Sequence, residues 1–442
     1  MSKRLVSFLG LGNTRPEAKP PYYSPGVYRL DEKESRKTPL VVQALCDIIP
    51  DVTSIIVLGT ADVERRWFGA DELFRQYFEG NVTFVRLPMG ATTAERWELF
   101  EKVSGVLTEK PLEKAGEETG PGQIIVDITH GFRAQPVLGM AALTYVISDW
   151  SRNKIESPPR LRVLYGAWEA RDENDVTPVW DLTELVTAAL WNSAIDSFVR
   201  HGRADDMAKL AQVFAKESVS EAQERGVKGP ELSWFHYPRK LGEAAKEFAD
   251  SLVTSRLRDI ITKCAPRLVK ELEGEAAAPF VDMLPVLREP LRTMKEKIVP
   301  LCAKTTFGQD GILASLRLAR LLGELQRYSE QASLLREVAI TLHGVLAGKD
   351  PCSEPGPGFS GKQREELTED WKSLSRGEHS VAGGSTSQRF ASWSAEVADL
   401  RNDVNHCGIR QNPRASAVIR RQLAEYTGEL ERIMNEILEG QG

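Results

Sequence analysis

The chain has 442 residues, of which 41% are hydrophobic and 27% charged, with a formal net charge of −6. That length exceeds one ordinary hydrophobic core and predicts two domains of roughly 200 residues each. The acidic balance excludes a basic, non-specific nucleic-acid coat but leaves room for a local basic pocket. No uninterrupted apolar window of about 18 residues is present, which predicts no membrane span. Cys46, Cys264, Cys302, Cys352 and Cys407 are odd in number and form no C-x-x-C pair. That usage argues against a disulfide framework or zinc site and predicts reduced thiols in the cytoplasm.

The first 185 residues alternate strand and helix patterns. Leu5–Leu11 is a short apolar run ending in Gly12-Asn13-Thr14; no small-residue cleavage site follows it, so it reads as a first strand, not a signal peptide. Helical spacing over 34–49 is followed by strands at 54–58 and 82–87, with an amphipathic helix at 71–78 between them. A helix over 93–107 is predicted with Trp97, Phe100 and Val103 on one face. Residues 113–122 form a charged, glycine-rich loop; 123–128 is a strand, 135–150 a nearly all-apolar helix and 162–168 a further strand. Continuous apolar strands alternating with helices predict a parallel sheet covered on both faces.

From about Leu182 strand-like runs vanish and helical periodicities take over, at 182–200, 205–215, 238–252, 289–303, 313–346, 391–402 and 415–438. The stripe over 313–346 predicts one long helix. Two turn-rich breaks, 350–362 and 380–387, bound an expected loop insertion at about 350–388.

In an open parallel sheet, ligands bind beyond the carboxyl ends of the strands. Five such loops carry glycine: 10–14, 59–60, 88–90, 129–133 and 166–168. Glycine lets backbone N–H groups approach a phosphate. Neither G-x-G-x-x-G nor a Walker A loop is present, which disfavours a dehydrogenase and a P-loop NTPase. The most distinctive string is Asp127-Ile128-Thr129-His130-Gly131-Phe132-Arg133. Thr129 offers a cap and a hydroxyl, Gly131 offers close approach, and Arg133 is a cation at a helix start, where the dipole disfavours it unless an anion binds. The plainer alternative is an ordinary strand–helix turn with Asp127 buried and satisfied by backbone.

VDITHGFR resembles the D-x-T-H-G motif of CRISPR-associated proteins that join a CARF (CRISPR-associated Rossmann-like) domain to a HEPN ribonuclease domain. LVSFLGLGN, IIVLGT and VLYGAWEA resemble the other sheet-edge segments of that family. The resemblance implies an α/β Rossmann-like sensor at 1–183 and an all-α HEPN domain at 184–442. It implies a homodimer, or a higher oligomer, whose paired CARF domains bind a cyclic oligoadenylate, most often the tetra-adenylate. The ligand-lining residues it implies are Gly12, Asn13, Thr60, Thr129, His130, Gly131 and Arg133.

Among six histidines, only His406 has an arginine five positions before it, in Arg401-Asn402-Asp403-Val404-Asn405-His406. Cleaving RNA without a metal uses the substrate's 2′-hydroxyl as nucleophile. It needs a group that titrates near neutrality and a fork that grips phosphate oxygens, which are histidine and arginine. Asn402 and His406 are i, i+4 and share a helix face, so Asn402 is expected to orient the imidazole. Arg401 and His406 lie roughly 140° apart around a helix. The plainer alternative is a cationic cap on a surface helix end. The resemblance implies catalysis by Arg401, Asn402 and His406 on single-stranded RNA, with no cofactor other than the cyclic activator. Two other classes stay open: a non-catalytic CARF-type regulator with a partner-binding helical half, and a nucleotide-metabolising Rossmann enzyme.

Overall fold

β-branched and leucine-rich runs build an eight-stranded sheet in the first part of the chain. The computed structural model describes all residues except 1, 16, 71, 109–121, 132–133, 154–158, 225–234, 348–360, 377–384, 410 and 441–442. The strands are β1 (Lys3–Phe8), β2 (Val27–Leu30), β3 (Lys33–Glu34), β4 (Val52–Gly59), β5 (Thr83–Arg86), β6 (Gln123–Asp127), β7 (Arg160–Gly166) and β8 (Val176–Asp181). β7, β6, β1, β4 and β5 run parallel, while β8 is antiparallel to β7 and β3 to β2. Sequence periodicity missed β2, β3 and β8. β2 and β3 are only four and two residues long, and Val176–Asp181 mixes proline and charge into its apolar residues; in the sheet order β3-β2-β8-β7-β6-β1-β4-β5 only β3 of the three is an edge. In β1, residues Arg4 to Phe8 are all buried, as a central strand covered on both faces requires.

β1 pairs with β4 on one side and β6 on the other, so strand order reverses between β1 and β6. That is the switch point at which a doubly wound sheet opens a crevice. Helices α1 (Val41–Ile48), α2 (Ala61–Trp67), α3 (Leu73–Tyr77), α4 (Thr93–Thr108) and α5 (Ala134–Arg152) complete the layers. Trp97 and Phe100 share a face of α4 as expected, their rings 5.9 Å apart, but it is not the face the helix buries. Leu99, Val103, Val106 and Leu107 are buried, while Trp97 is 62% exposed.

The chain divides into two compact units, Met1–Thr187 and Ala188–Gly442. The division falls inside α6 (Thr183–His201). The second unit is helical throughout its described part, continuing with α7 (Asp205–Glu224), α8 (Tyr237–Val253), α9 (257–273, with a π turn at Ile260–Cys264), α10 (Ala277–Met283) and α11 (Arg288–Ile298). It has its own core, including Trp191, Phe248, Phe390, Trp393 and Leu430. The expected single helix over 313–346 is two, α12 (Gln309–Glu324) and α13 (Tyr328–Leu346). Gln326 has φ +59, and its N–H and that of Arg327 donate to Gly323 and Leu322, a Schellman stop. The usual glycine at the left-handed position is absent, so the apolar stripe runs through the break without a signal. The expected loop insertion at 350–388 is corrected as well. Gly361–Ser375 forms helix α14, burying Leu367, Trp371 and Leu374, and α15 (Ser385–Asn405) begins before the predicted loop ends. The last helix, α16, spans Ser416–Gly440.

Candidate nucleotide site and candidate catalytic helix end

At the carboxyl edge of the sheet, the loops after β1 and β6 touch. A side chain at Gly10 would meet the His130 carbonyl at 2.5 Å and the Tyr23 hydroxyl at 2.9 Å. Gly12 has φ +70, and its Cβ would meet the Tyr22 carbonyl at 2.5 Å. Both glycines therefore serve close approach of protein to protein. Trp67 Nε1 donates to the Gly10 carbonyl at 3.1 Å and Arg66 Nη1 to the Leu11 carbonyl at 3.1 Å. Arg66 lies 3.5 Å over the Tyr22 ring, and Tyr23 stacks on Trp67. The exposed Asn13 side chain accepts the Arg15 N–H at 3.1 Å, leaving its amide NH2 on the rim.

Asp127 ends β6 fully buried and beside Ser7 in register. It accepts from Ser7 Oγ at 2.6 Å, from Thr129 N at 3.0 Å and from Thr129 Oγ1 at 2.5 Å. Burial pushes its carboxyl up, and these three donors pull it back down. Thr129 Oγ1 also accepts the Gly166 N–H at 2.8 Å, which fastens the end of β7. The Thr129 hydroxyl is thus engaged inside the protein by Asp127 and Gly166; the cap expected of it falls against residues 132–133, which lie outside the described residues. His130 stacks on Tyr23 with ring centroids 3.9 Å apart. Burial pushes its imidazole down to about 4, opposed by a hydrogen bond to the Pro39 carbonyl. Its Nε2 is enclosed without a partner, although other atoms of the residue reach solvent. Thr60 is 1% exposed with an unpaired hydroxyl. Gly131 is half-buried over Phe8 and Gln135, and Arg133 lies outside the described residues.

In the helical unit, α15 stops at Asn405 in a Schellman turn. The Gly408 N–H donates to the Asp403 carbonyl at 3.5 Å and the Cys407 N–H to the Val404 carbonyl at 3.1 Å. Cys407 has φ +54 and Gly408 φ +71, the stop that Cys407-Gly408 predicts. His406 is the exposed residue at the helix end, and its imidazole makes no hydrogen bond among the described residues. Asn402 does not orient it; Asn402 Oδ1 lies 3.4 Å from Arg401 Nη1 instead. The firmer partner is Asn405. With its amide oxygen turned inward it accepts from Arg401 Nε at 2.8 Å and Nη2 at 2.9 Å. Asp403, between them in sequence, is 2% exposed and accepts from Arg414 N at 2.8 Å. Arg414 also pairs with Asp399, so it straps the chain after the turn to two levels of α15. Among the described residues no three His, Cys, Asp or Glu side chains stand together as metal ligands.

Residues 5–165 match the family model described as the CRISPR system endoribonuclease Csx1, CARF domain. The N-terminal unit is a CARF domain. Among solved structures, Enterococcus italicus Csm6 bound to cyclic hexa-2'-fluoro-hexa-dAMP is similar at a TM-score of 0.42 and 11% identity. The similarity covers 100% of this chain and 95% of that one. No curated protein sequence matches. No described helix is long and apolar enough to cross a membrane.

The CARF domain thus brings Gly12, Asn13, Thr129, His130 and Gly131 to one sheet edge. It turns the polar groups of Thr60, Thr129 and His130 into protein. Sequence reasoning missed Tyr22, Tyr23, Arg66 and Trp67, which pin the first loop from a long connection and from α2; only three-dimensional proximity links them to it. It also missed Asn405, although the i, i+4 spacing to Arg401 was a readable signal.

Proposed function

We infer that this chain is a cyclic oligoadenylate-activated endoribonuclease that cleaves single-stranded RNA in type III CRISPR defence. Gly12, Asn13, Gly131 and Arg133 line the ring ligand at the switch point of the CARF domain. Thr60, Thr129 and His130 hold the loops that present them. The helical unit acts as the HEPN ribonuclease. The observation that carries the reading is its helix end: a guanidinium gripped by Asn405, with an uncommitted histidine at the adjoining cap.

In the reaction, His406 exchanges a proton with the RNA, taking it from the attacking 2′-hydroxyl or giving it to the departing 5′-oxygen. The 2′-oxygen bonds to phosphorus, the P–O5′ bond breaks, and a cyclic phosphate remains. Arg401 holds the nonbridging oxygens as negative charge builds on them. This needs no metal. At helical spacing Arg401 and His406 stand roughly 140° apart, and in this reading a complete centre draws on two copies.

A dimer also has support in α5. Ala134, Val137, Ala141, Thr144, Tyr145 and Ser148 form an exposed stripe at helical spacing, and no charge occurs from 134 to 148. Val137 is 69% exposed, and Trp97, Phe100 and Tyr145 continue the patch as an aromatic chain. An uncharged face of this kind closes on its own copy about a twofold axis. The test is cleavage of a fluorescent RNA in EDTA, with no ligand and with cyclic tetra- or hexa-adenylate. Cleavage that needs one of the rings and disappears in His406→Ala supports the reading. Cleavage that survives His406→Ala sinks the catalytic assignment, and ring binding without cleavage makes the chain a regulator.

A further inference from the structure

Helices α13, α14 and α15 pack on one another; Arg336 on the first and Arg364 on the second meet at one carboxylate, and Arg401 on the third feels the charges of that group. Arg336 on α13 donates to Glu337 Oε1 at 2.5 Å. Arg364 on α14 pairs with Glu337 Oε2 and reaches Thr341 Oγ1 at 3.4 Å. Both oxygens of the single carboxylate are thereby taken. Arg401 on α15 has no carboxylate in ion-pair range among the described residues and donates only to the amide oxygens of Asn402 and Asn405. Arg336 lies 5.8 Å over the ring of Trp371, whose Nε1 donates to Ser394 on α15 at 3.2 Å, so the floor of the cluster is fixed. The Arg336 and Arg364 side chains are only 21% and 27% exposed. Burial, and after it the charge of Arg336, presses the Arg401 guanidinium down from its ordinary value, with the Glu337 carboxylate opposing the shift.

Among the described residues, three half-buried guanidiniums and the one carboxylate of Glu337 leave an excess of two positive charges. Such crowding is unfavourable unless an anion is meant to enter. A phosphodiester supplies two nonbridging oxygens, one for each of two arginine forks. We propose that Arg336 and Arg401 together form a cradle for a backbone phosphate of single-stranded RNA, with Glu337 and Arg364 setting the position of Arg336. This rests on the ribonuclease reading for the identity of the polymer. Arg336 binds a phosphate in it and takes no part in proton transfer.

The test is binding of a fully 2′-fluoro-substituted RNA, which lacks the internal nucleophile, to the full chain with cyclic tetra-adenylate. Affinity is read over about 50 to 200 mM salt. Arg336→Ala is expected to weaken binding roughly tenfold and to reduce the slope of log affinity against log salt by about 0.7, one phosphate contact on a single strand. Arg336→Lys should restore the slope and part of the affinity. Glu337→Gln should tighten binding about twofold to threefold by removing the competing carboxylate. A collapsed site would weaken all three variants alike and overturn the proposal. So would wild-type affinity and slope in Arg336→Ala, displacement of the RNA by millimolar inorganic phosphate alone, or no binding by the wild-type chain.

Cleavage of ordinary RNA separates the two readings. An active wild type with unchanged KM in Arg336→Ala sinks the cradle and leaves the ribonuclease standing. Arg336-dependent binding with no cleavage does the reverse.

Discussion

The two candidate sites are built in opposite ways. At the CARF sheet edge, Asp127, Thr129, His130 and Thr60 turn their polar atoms inward, and glycines 10 and 12 let loops press on each other. At the end of α15, His406 stands exposed and without a side-chain partner among the described residues. The difference fits the tasks proposed for them. A sensor edge must hold its backbone donors in fixed positions before the ligand arrives, and a proton-transfer group must stay free to meet its substrate.

The largest expected effect breaks the free end of this comparison. His406→Ala should lower ring-activated cleavage about 10³-fold, within the usual range for general acid–base catalysis, and leave the melting temperature unchanged, since the exposed side chain makes no hydrogen bond among the described residues. Single-turnover rates and a thermal melt read both, and a rate within tenfold of wild type would show His406 to be a bystander.

The next effect tests the buried imidazole. His130 has its pKa lowered to about 4 from 6.5, so the unfolded chain binds more protons between those values. Its contribution is complete above pH 6.5 and is lost as pH falls towards 4, at most about 3 kcal/mol. Asp127, pushed up by burial, works in the other direction as pH falls. The contrast between wild type and His130→Phe, which keeps the stack on Tyr23, isolates the imidazole. Denaturant midpoints at pH 7.5 and pH 5 should drop for wild type and change less for the variant; equal drops would mean His130 titrates as an exposed histidine.

A third test concerns what holds the exposed end in place. Asp403→Ala removes the acceptor for Arg414 and should cost about 2 kcal/mol, whereas Asp403→Asn, still able to accept the Arg414 N–H, should cost less. Denaturation curves compare the two, and equal losses would argue against the strap.

The smallest test sharpens the sheet-edge end. Gly10→Ala drives a methyl against the His130 carbonyl and should cost about 1 kcal/mol or more and weaken cyclic tetra-adenylate binding. Gly131→Ala meets its nearest atoms at 3.2 Å, partly the movable end of Gln135, and should cost less. Calorimetric titration of both separates them, and equal affinities would show that the loop contact is not what positions the ligand.

Period and composition settled much of this molecule. The β-branched runs marked the five parallel strands, most plainly β1 and β6 in the middle of the sheet, where nearly every residue is buried between two helical layers. Helical stripes after Leu182 fixed an all-α second unit. Asp127-Ile128-Thr129-His130-Gly131 marked the turn at the switch point, and Arg401 to Gly408 marked a helix end. What the linear pattern could not carry was any contact made across the chain. Tyr23 meets His130 from 107 residues away, Ser7 meets Asp127 from 120, and Arg414 clasps Asp403 from beyond the turn. The breaks at Gln326 and Cys407 put non-glycine residues in left-handed conformations, which only surrounding packing enforces. Local energetics chose the elements; which hydroxyl, imidazole or guanidinium is consumed and which is left open was decided by the distant partners that folding brought beside them.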